Sequence, residues 1–269
     1  MEFVNETDKF DQHFLVDKEI INKFIFEANL SKDDIIVEVG PGKGNISELI
    51  APKVKKLYLI EIDRRLEKFL NKIKSKHKNI EIIYENVLDT YIPKCNKIVT
   101  SLPYSIIEPF INKIIKCDFN EILMITGNNY AKNVIEKKIN KLSLLTNCFF
   151  KTQKIIDIVP ESFNPKPRVL SSMLKLIPIS EKDLNNELIL FRNLYFYSDK
   201  KLKNALVESF IRLYYLHNKN LTQKEAKQIL NIISLDNRVL DKKFSEISND
   251  ELKVLYEKCT DYLNKNIIK

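Results

Sequence analysis

The apolar positions of this chain fall into two regimes. Through the first two thirds, short β-branched runs recur: IIVEV (35–39), LYLIEI (57–62), IEIIY (80–84), KIVTS (97–101), EILMIT (121–126), KIIDIV (154–159) and SSMLKLI (171–177). Between the first five lie segments with helical spacing, such as Leu66, Phe69, Leu70 and Ile73 set among Arg64, Arg65, Lys68, Lys72 and Lys74. Nearly all-apolar strands alternating with amphipathic helices predict a parallel sheet covered on both faces, an open α/β fold. The last two strands are joined only by a proline-rich loop, which predicts an antiparallel edge.

From about residue 181 the β-rich runs stop. Residues 188–216 and 222–233 carry helical patterns, and 248–267 predicts a helix capped by Ser248 or Asn249 with Leu252, Leu255 and Tyr256 on one face. The expected division is therefore an α/β domain over 1–180 and a small helical domain over 181–269, with the boundary near PISEKD (178–183).

Glycine changes the picture. The chain has four glycines, and Gly40, Gly42 and Gly44 stand within VEVGPGKGN (37–45), directly after the first α/β strand and before a helical pattern. A tight strand-to-helix turn favours glycine, and the helix N-terminus behind it offers free N–H groups to a ligand. The spacing is neither G-x-G-x-x-G nor G-K-[ST], which argues against a phosphate-binding loop. Glu38 can instead receive an amine, and Glu61, ending the next strand, suits ribose hydroxyls. The pair fits a nucleoside without a pyrophosphate, S-adenosyl-L-methionine rather than NAD. After the fourth strand comes TSLPYSIIEPF (100–110), where Pro103 stiffens the backbone beside Ser101, the Leu102 carbonyl and Tyr104. Oxygen acceptors beside an aromatic ring suit the amino group of a flat base.

Composition refines rather than redirects this reading. Hydrophobic residues make up 44% and charged residues 30%, as in a soluble globular protein, and the net charge of +8 favours a polyanionic partner. Cys95, Cys117, Cys148 and Cys259 are scattered, without a C-x-x-C pair or a histidine cluster. That argues against a metal site or disulfide framework and for a reducing, cytoplasmic setting. The polar, acidic start of the chain reads as neither signal nor transit peptide, and no apolar run approaches the ~18 residues of a membrane span.

Four segments resemble the ribosomal RNA adenine dimethylase family, which includes the small-subunit dimethyladenosine transferases and the erythromycin-resistance methylases. They are DQHFLVD (11–17), VEVGPGKGNIS (37–47), SLPY (101–104) and PESFNPKPRVLSSMLKL (160–176), in the family's order and closest in style to its archaeal members. The resemblance implies a seven-stranded class I, Rossmann-like methyltransferase domain with a helical tail, acting as a monomer on RNA with S-adenosylmethionine. It implies cofactor contacts from Gln12, His13, Leu15, Gly40, Gly42, Glu61, Ile62, Asn86, Val87 and Ser101. Catalysis falls to Ser101, Leu102, Pro103 and Tyr104, and the target base to Tyr104 and Phe163. A basic helical surface, DKKLKNAL (199–206) with Arg192 and Arg212, is expected to hold RNA.

The chain departs from the family pattern at four places. Asn86 stands for an acid that meets the adenine amine of the cofactor, and Ser101 stands for the asparagine that orients the target amine. Asp11 stands for glycine, and TGNNYAKNV (126–134) lacks an acid. These departures leave three readings: an rRNA adenine methyltransferase, a methyltransferase with another acceptor, and a non-catalytic RNA-binding assembly factor.

Overall fold

The computed structural model describes residues 12–266, without the side chain of Tyr104; Asp11 lies outside the described residues. The chain forms two compact units, residues 1–135 with 151–178, and residues 136–150 with 179–269.

The first unit is built on a seven-stranded sheet of order β4-β3-β2-β5-β6-β9-β7. Its strands are β2 (Ile35–Val39), β3 (Lys56–Ile60), β4 (Ile80–Ile83), β5 (Lys97–Ser101), β6 (Glu121–Gly127), β7 (Phe150–Ile158) and β9 (Ser171–Pro178). The first five pair in parallel, and β9 runs antiparallel to β6 in the register Gly127↔Ser171. The helices α1 (Lys18–Glu27), α2 (Ser47–Ile50), α3 (Glu67–Lys76), α4 (Ile107–Ile114) and α5 (Asn128–Ile135) belong to this unit. The expected α/β fold is present, and β9 lies one strand in from the edge, where β7 is outermost.

Residues Phe14–Leu15 (β1) and Phe163–Asn164 (β8) form a separate antiparallel pair. Runs of two residues carry no periodicity, so neither strand was predicted. Asp17 caps α1 through the Glu19 and Ile20 N–H groups and also accepts the Ser162 hydroxyl at 2.9 Å. The start of α1 is thereby tied to the segment before β8.

The glycine turn is held by packing as much as by its own backbone. A Cβ on Gly44 would lie 2.1 Å from the Ile73 side chain on α3, and one on Gly42 would lie 2.8 Å from the Phe14 ring. The missing side chains at 42 and 44 therefore make room for protein. Only at Gly40, with φ +67°, would an added Cβ meet its neighbours at ordinary contact distance, the Ser101 carbonyl at 3.8 Å being the nearest.

The second unit gathers α6 (Lys141–Phe149), α7 (Asn186–Phe196), α8 (Leu202–Leu216), α9 (Gln223–Ile233), α10 (Asn237–Leu240) and α11 (Asn249–Asn266). α6, between β6 and β7 in sequence, belongs here and packs on α7. The pattern over 188–216 resolves into two helices, because the polar turn around Ser198 and Asp199 interrupts it. Ser248 begins α11 as expected, its hydroxyl accepting the Glu251 N–H while the Glu251 carboxylate accepts the Ser248 N–H. Leu252 and Leu255 are fully buried.

The expected basic surface of this unit is largely engaged within it. Lys201 and Lys203 both reach Asp241, at 3.4 and 2.8 Å, and Arg212 pairs with Glu181 at 3.1 Å. Arg192 is half-buried, donates to the Ile179 carbonyl and lies over the Phe149 ring. It packs the helices together rather than facing solvent. No helix among the described residues is long and apolar enough to cross a membrane.

Gly44→Ala is expected to destabilise the protein by about 2–4 kcal/mol, from overpacking against Ile73 added to left-handed strain. Gly40→Ala, with strain alone, should cost about 1–2 kcal/mol. Urea denaturation of the two variants checks the ranking.

Candidate active site

After β2 the chain first builds β3 and β4 on one side, then returns to place β5 on the other. This switch leaves a crevice beyond the carboxyl ends of β2 and β5, where open α/β sheets bind ligands. A cavity of about 340 Å³ occupies it.

Three ties shape its floor. The Gly40 N–H donates to the Ile60 carbonyl at 2.9 Å, so the turn starts locked to β3. The Thr100 hydroxyl donates to the Val39 carbonyl at 2.9 Å, joining β5 to the end of β2. Glu61, 3% exposed, accepts the Gly42 N–H on Oε2 at 3.0 Å and the Asp63 N–H on Oε1 at 2.9 Å. Burial pushes the Glu61 carboxyl up, and these two N–H bonds offset part of that rise. The Ile62 N–H also acts on this carboxylate, whose roughly four acceptor sites still exceed its backbone donors and leave room for a ligand hydroxyl.

Glu38 lines the same cavity from β2. It is buried, and its Oε2 has no hydrogen-bond partner. Burial pushes its carboxyl up to about 8; the neighbouring Ser47 hydroxyl, itself without a full hydrogen bond, offsets part of the rise, and nearby Glu61 adds to it. A buried acid with an unpartnered oxygen is matched by a cationic or multiply donating group entering the cavity.

The N-terminal segment closes one side. Gln12 donates to Asp63 at 3.2 Å, and the Leu15 carbonyl accepts the Asn45 side-chain amide at 2.8 Å. The Phe14 ring packs on Gly42, with Lys43 Nζ 5.0 Å from its centroid. His13 Nδ1 is 2.9 Å from the Pro165 carbonyl. One short segment thus joins the glycine turn to the strand that carries Phe163.

The lining contains every residue singled out from the sequence for the site except Tyr104, whose side chain lies outside the described residues. Gln12, His13, Leu15, Gly40, Gly42, Glu61, Ile62, Asn86, Val87, Ser101, Leu102, Pro103 and Phe163 all line the cavity, with Phe163 paired to Leu15 across β8 and β1. Ile62 is half-exposed, and Phe163 is buried. Asn86 lines the cavity, but its amide is engaged locally: Nδ2 donates to Asp89 at 2.8 Å, and Oδ1 accepts the Leu88 N–H at 3.0 Å. Within 126–134, Asn128 donates to Asp157 of β7 and to Ser172 of β9.

Phe14, Lys43, Asn45, Ser105 and Ser171 also line the cavity and were not singled out. Asn45 follows the glycine turn directly, which was its one signal. The others come to the cavity by folding.

The sequence profile described as "Ribosomal RNA adenine dimethylase" matches residues 4–238. The chain belongs to the ribosomal RNA adenine dimethylase family. Among its relatives, a probable ribosomal RNA small subunit methyltransferase A of Methanococcus aeolicus is 31% identical, covering 98% of this chain and 100% of the relative. Its counterpart in Methanococcoides burtonii is 34% identical over 74% of this chain and 76% of its own length. A crystal structure of a dimethyladenosine transferase from Plasmodium falciparum shares the fold with a TM-score of 0.63, at 24% identity, covering 94% of this chain and 98% of that one. The seven-stranded sheet of this family member is thus the class I methyltransferase fold.

Two predictions concern the ligand-free protein. Glu61→Gln places an amide NH₂ against one of two N–H donors and should destabilise it by about 1–3 kcal/mol in urea denaturation. Unfolded, Glu38 titrates in the ordinary carboxylate range; folded, it titrates near 8. Folding therefore takes up a proton between those values, and stability falls as pH rises through that window. Glu38→Gln should flatten this fall in a pH series of denaturation curves.

Proposed function

We propose that this protein methylates the N6 amine of adenosine in small-subunit ribosomal RNA, using S-adenosyl-L-methionine. The observation that carries the reading is one cavity in which the buried, unpartnered Glu38 carboxylate and the anchored Glu61 share walls with the Ser101–Leu102–Pro103 segment. The relatives' designation as probable ribosomal RNA small subunit methyltransferase A supports the substrate.

When bound, the cofactor supplies an electrophilic methyl group on a sulfonium centre. Glu38 receives the ammonium of its amino-acid part in the ionised form, and Glu61 receives ribose hydroxyls on its free lone pairs. Ile62 and Val87 offer apolar contact to the adenine, and Asn86 meets it through what remains of its amide oxygen. Gly40 gives close backbone approach, while Gln12, His13 and Leu15 close the N-terminal side.

At the acceptor end, Ser101 Oγ and the Leu102 carbonyl take the hydrogens of the target amine and keep its lone pair aimed at the methyl. Pro103 stiffens that carbonyl, and Tyr104 and Phe163 hold the base by ring contact. As the carbon–nitrogen bond formed, the methyl–sulfur bond would break to leave a neutral thioether, and the methylated amine would release its proton to water, so no side chain would be called on as a general base. The catalytic contribution is orientation. The helical unit takes a separate share of the RNA surface, and the protein works as a single cytoplasmic copy.

Serine is shorter than the asparagine it replaces and reaches the amine less directly. This favours a second reading in which RNA is held without being methylated. Tritiated-methyl transfer to deproteinised small-subunit RNA separates the two. Labelled adenosine is expected from the wild type, and Ser101→Asn should raise the rate by about 10–100-fold. Absence of label from both proteins, with calorimetric binding of the cofactor intact, would establish the second reading.

A further inference from the structure

The helical pattern between β3 and β4 carries more charge than a helix needs for solubility. α3 turns Leu70 and Ile73 into the core together with Leu66. Lys68, Lys72 and Lys76 stand opposite at four-residue intervals, and Arg64 precedes them at the same interval in the turn leading into the helix. Four residues of α-helix rise about 6 Å, so successive cations line one face.

Like charges at this spacing repel and weaken an isolated helix. Some lysines elsewhere meet acids, as in Lys23–Glu27, Lys56–Glu81, Lys154–Asp157 and Lys242–Glu251. On this face Lys76 pairs with Glu48, whose carboxylate also feels the charge of Lys72. Arg64, Lys68 and Lys72 are exposed and make no ion pair among the described residues, and Arg64 lies over the Tyr84 ring. The one acid that opens the helix, Glu67, accepts from Asn71.

The face is continuous with the mouth of the cavity. Ile62 lines the cavity two residues before Arg64. Lys43, also in the lining, has its ammonium 5.9 Å from the ring centroid of Phe69 on α3. The cation spacing is shorter than the ~8 Å Debye length at physiological salt, so the fields of neighbouring residues add.

We propose that Arg64, Lys68 and Lys72 form a docking track for the phosphate backbone of the substrate RNA, leading away from the cavity mouth along α3. The track rests on the reading of the protein as an RNA methyltransferase and adds to it where the catalytic unit itself grips the polyanion. Flexible lysines at regular spacing suit phosphates, which carry no sequence information, and leave base choice to the cavity.

The test uses the full chain with Arg64→Gln, Lys68→Gln and Lys72→Gln combined, and deproteinised small-subunit RNA in filter binding across a salt titration. The triple variant should bind about tenfold more weakly at low salt, with the slope of log K against log salt reduced by about 2–3. None of the three residues lines the cavity, so calorimetric affinity for S-adenosylmethionine should be unchanged. Lys53→Gln, Lys55→Gln and Lys116→Gln combined remove equal charge near the amino ends of β3 and β6, at the other end of the sheet, and should retain most of the affinity and slope. Wild-type affinity and slope in the α3 variant, or equal loss in the control, would overturn the track while leaving the RNA reading standing. Failure of the wild type to bind the RNA would overturn that reading and the track with it.

Discussion

A buried carboxylate at the end of β3 organises the crevice. Glu61 accepts one N–H from the glycine turn and one from Asp63, so the turn after β2 and the loop after β3 share one acceptor. Both donors are backbone groups with nowhere else to go in a buried site, and leaving them unpaired costs about 1–3 kcal/mol each. The carboxylate is thus bound to the scaffold before any ligand arrives. Its remaining lone pairs are already aimed, and the ligand need not order them.

Glu38, one strand away, is the opposite case. It is buried without a full set of partners, and its carboxyl titrates near 8. A carboxyl that burial pushes up and that a neighbouring cation would bring down again couples ligand charge to protonation. The two acids therefore divide the work: one holds the walls in place, and the other leaves an electrostatic demand for an amine to meet.

The N-terminal segment connects these two strand ends to the segment that carries Phe163. Phe14 fills the space left by Gly42, Leu15 receives Asn45, and β1 pairs with β8, which carries Phe163. The glycine turn is therefore linked through β1 to the wall that carries Phe163. The ring of Phe14 also explains why position 42 lacks a side chain: protein packing excludes one there whether or not a ligand is present.

The parallel sheet, the glycine turn and the positions of Glu61 and Ser101 at strand ends were legible in the sequence, while Phe163 came only from the resemblance of its segment to the family. Strand and helix periodicities, strand ends and glycine spacing are properties of neighbouring residues. The pairing of β1 with β8 was not legible, because two-residue strands have no period and their partners lie far apart in the chain. The engagement of Lys201, Lys203 and Arg212 was hidden for a related reason: a run of cations looks the same in sequence whether or not Asp241 and Glu181 fold against it. The same holds for α6, whose local pattern predicts a helix but not which unit it joins. What the sequence determined by itself was local geometry and the identity of the reactive groups. Tertiary structure alone decided which of those groups are buried, which are satisfied and which remain free, since desolvation and partnership depend on residues brought together from distant parts of the chain.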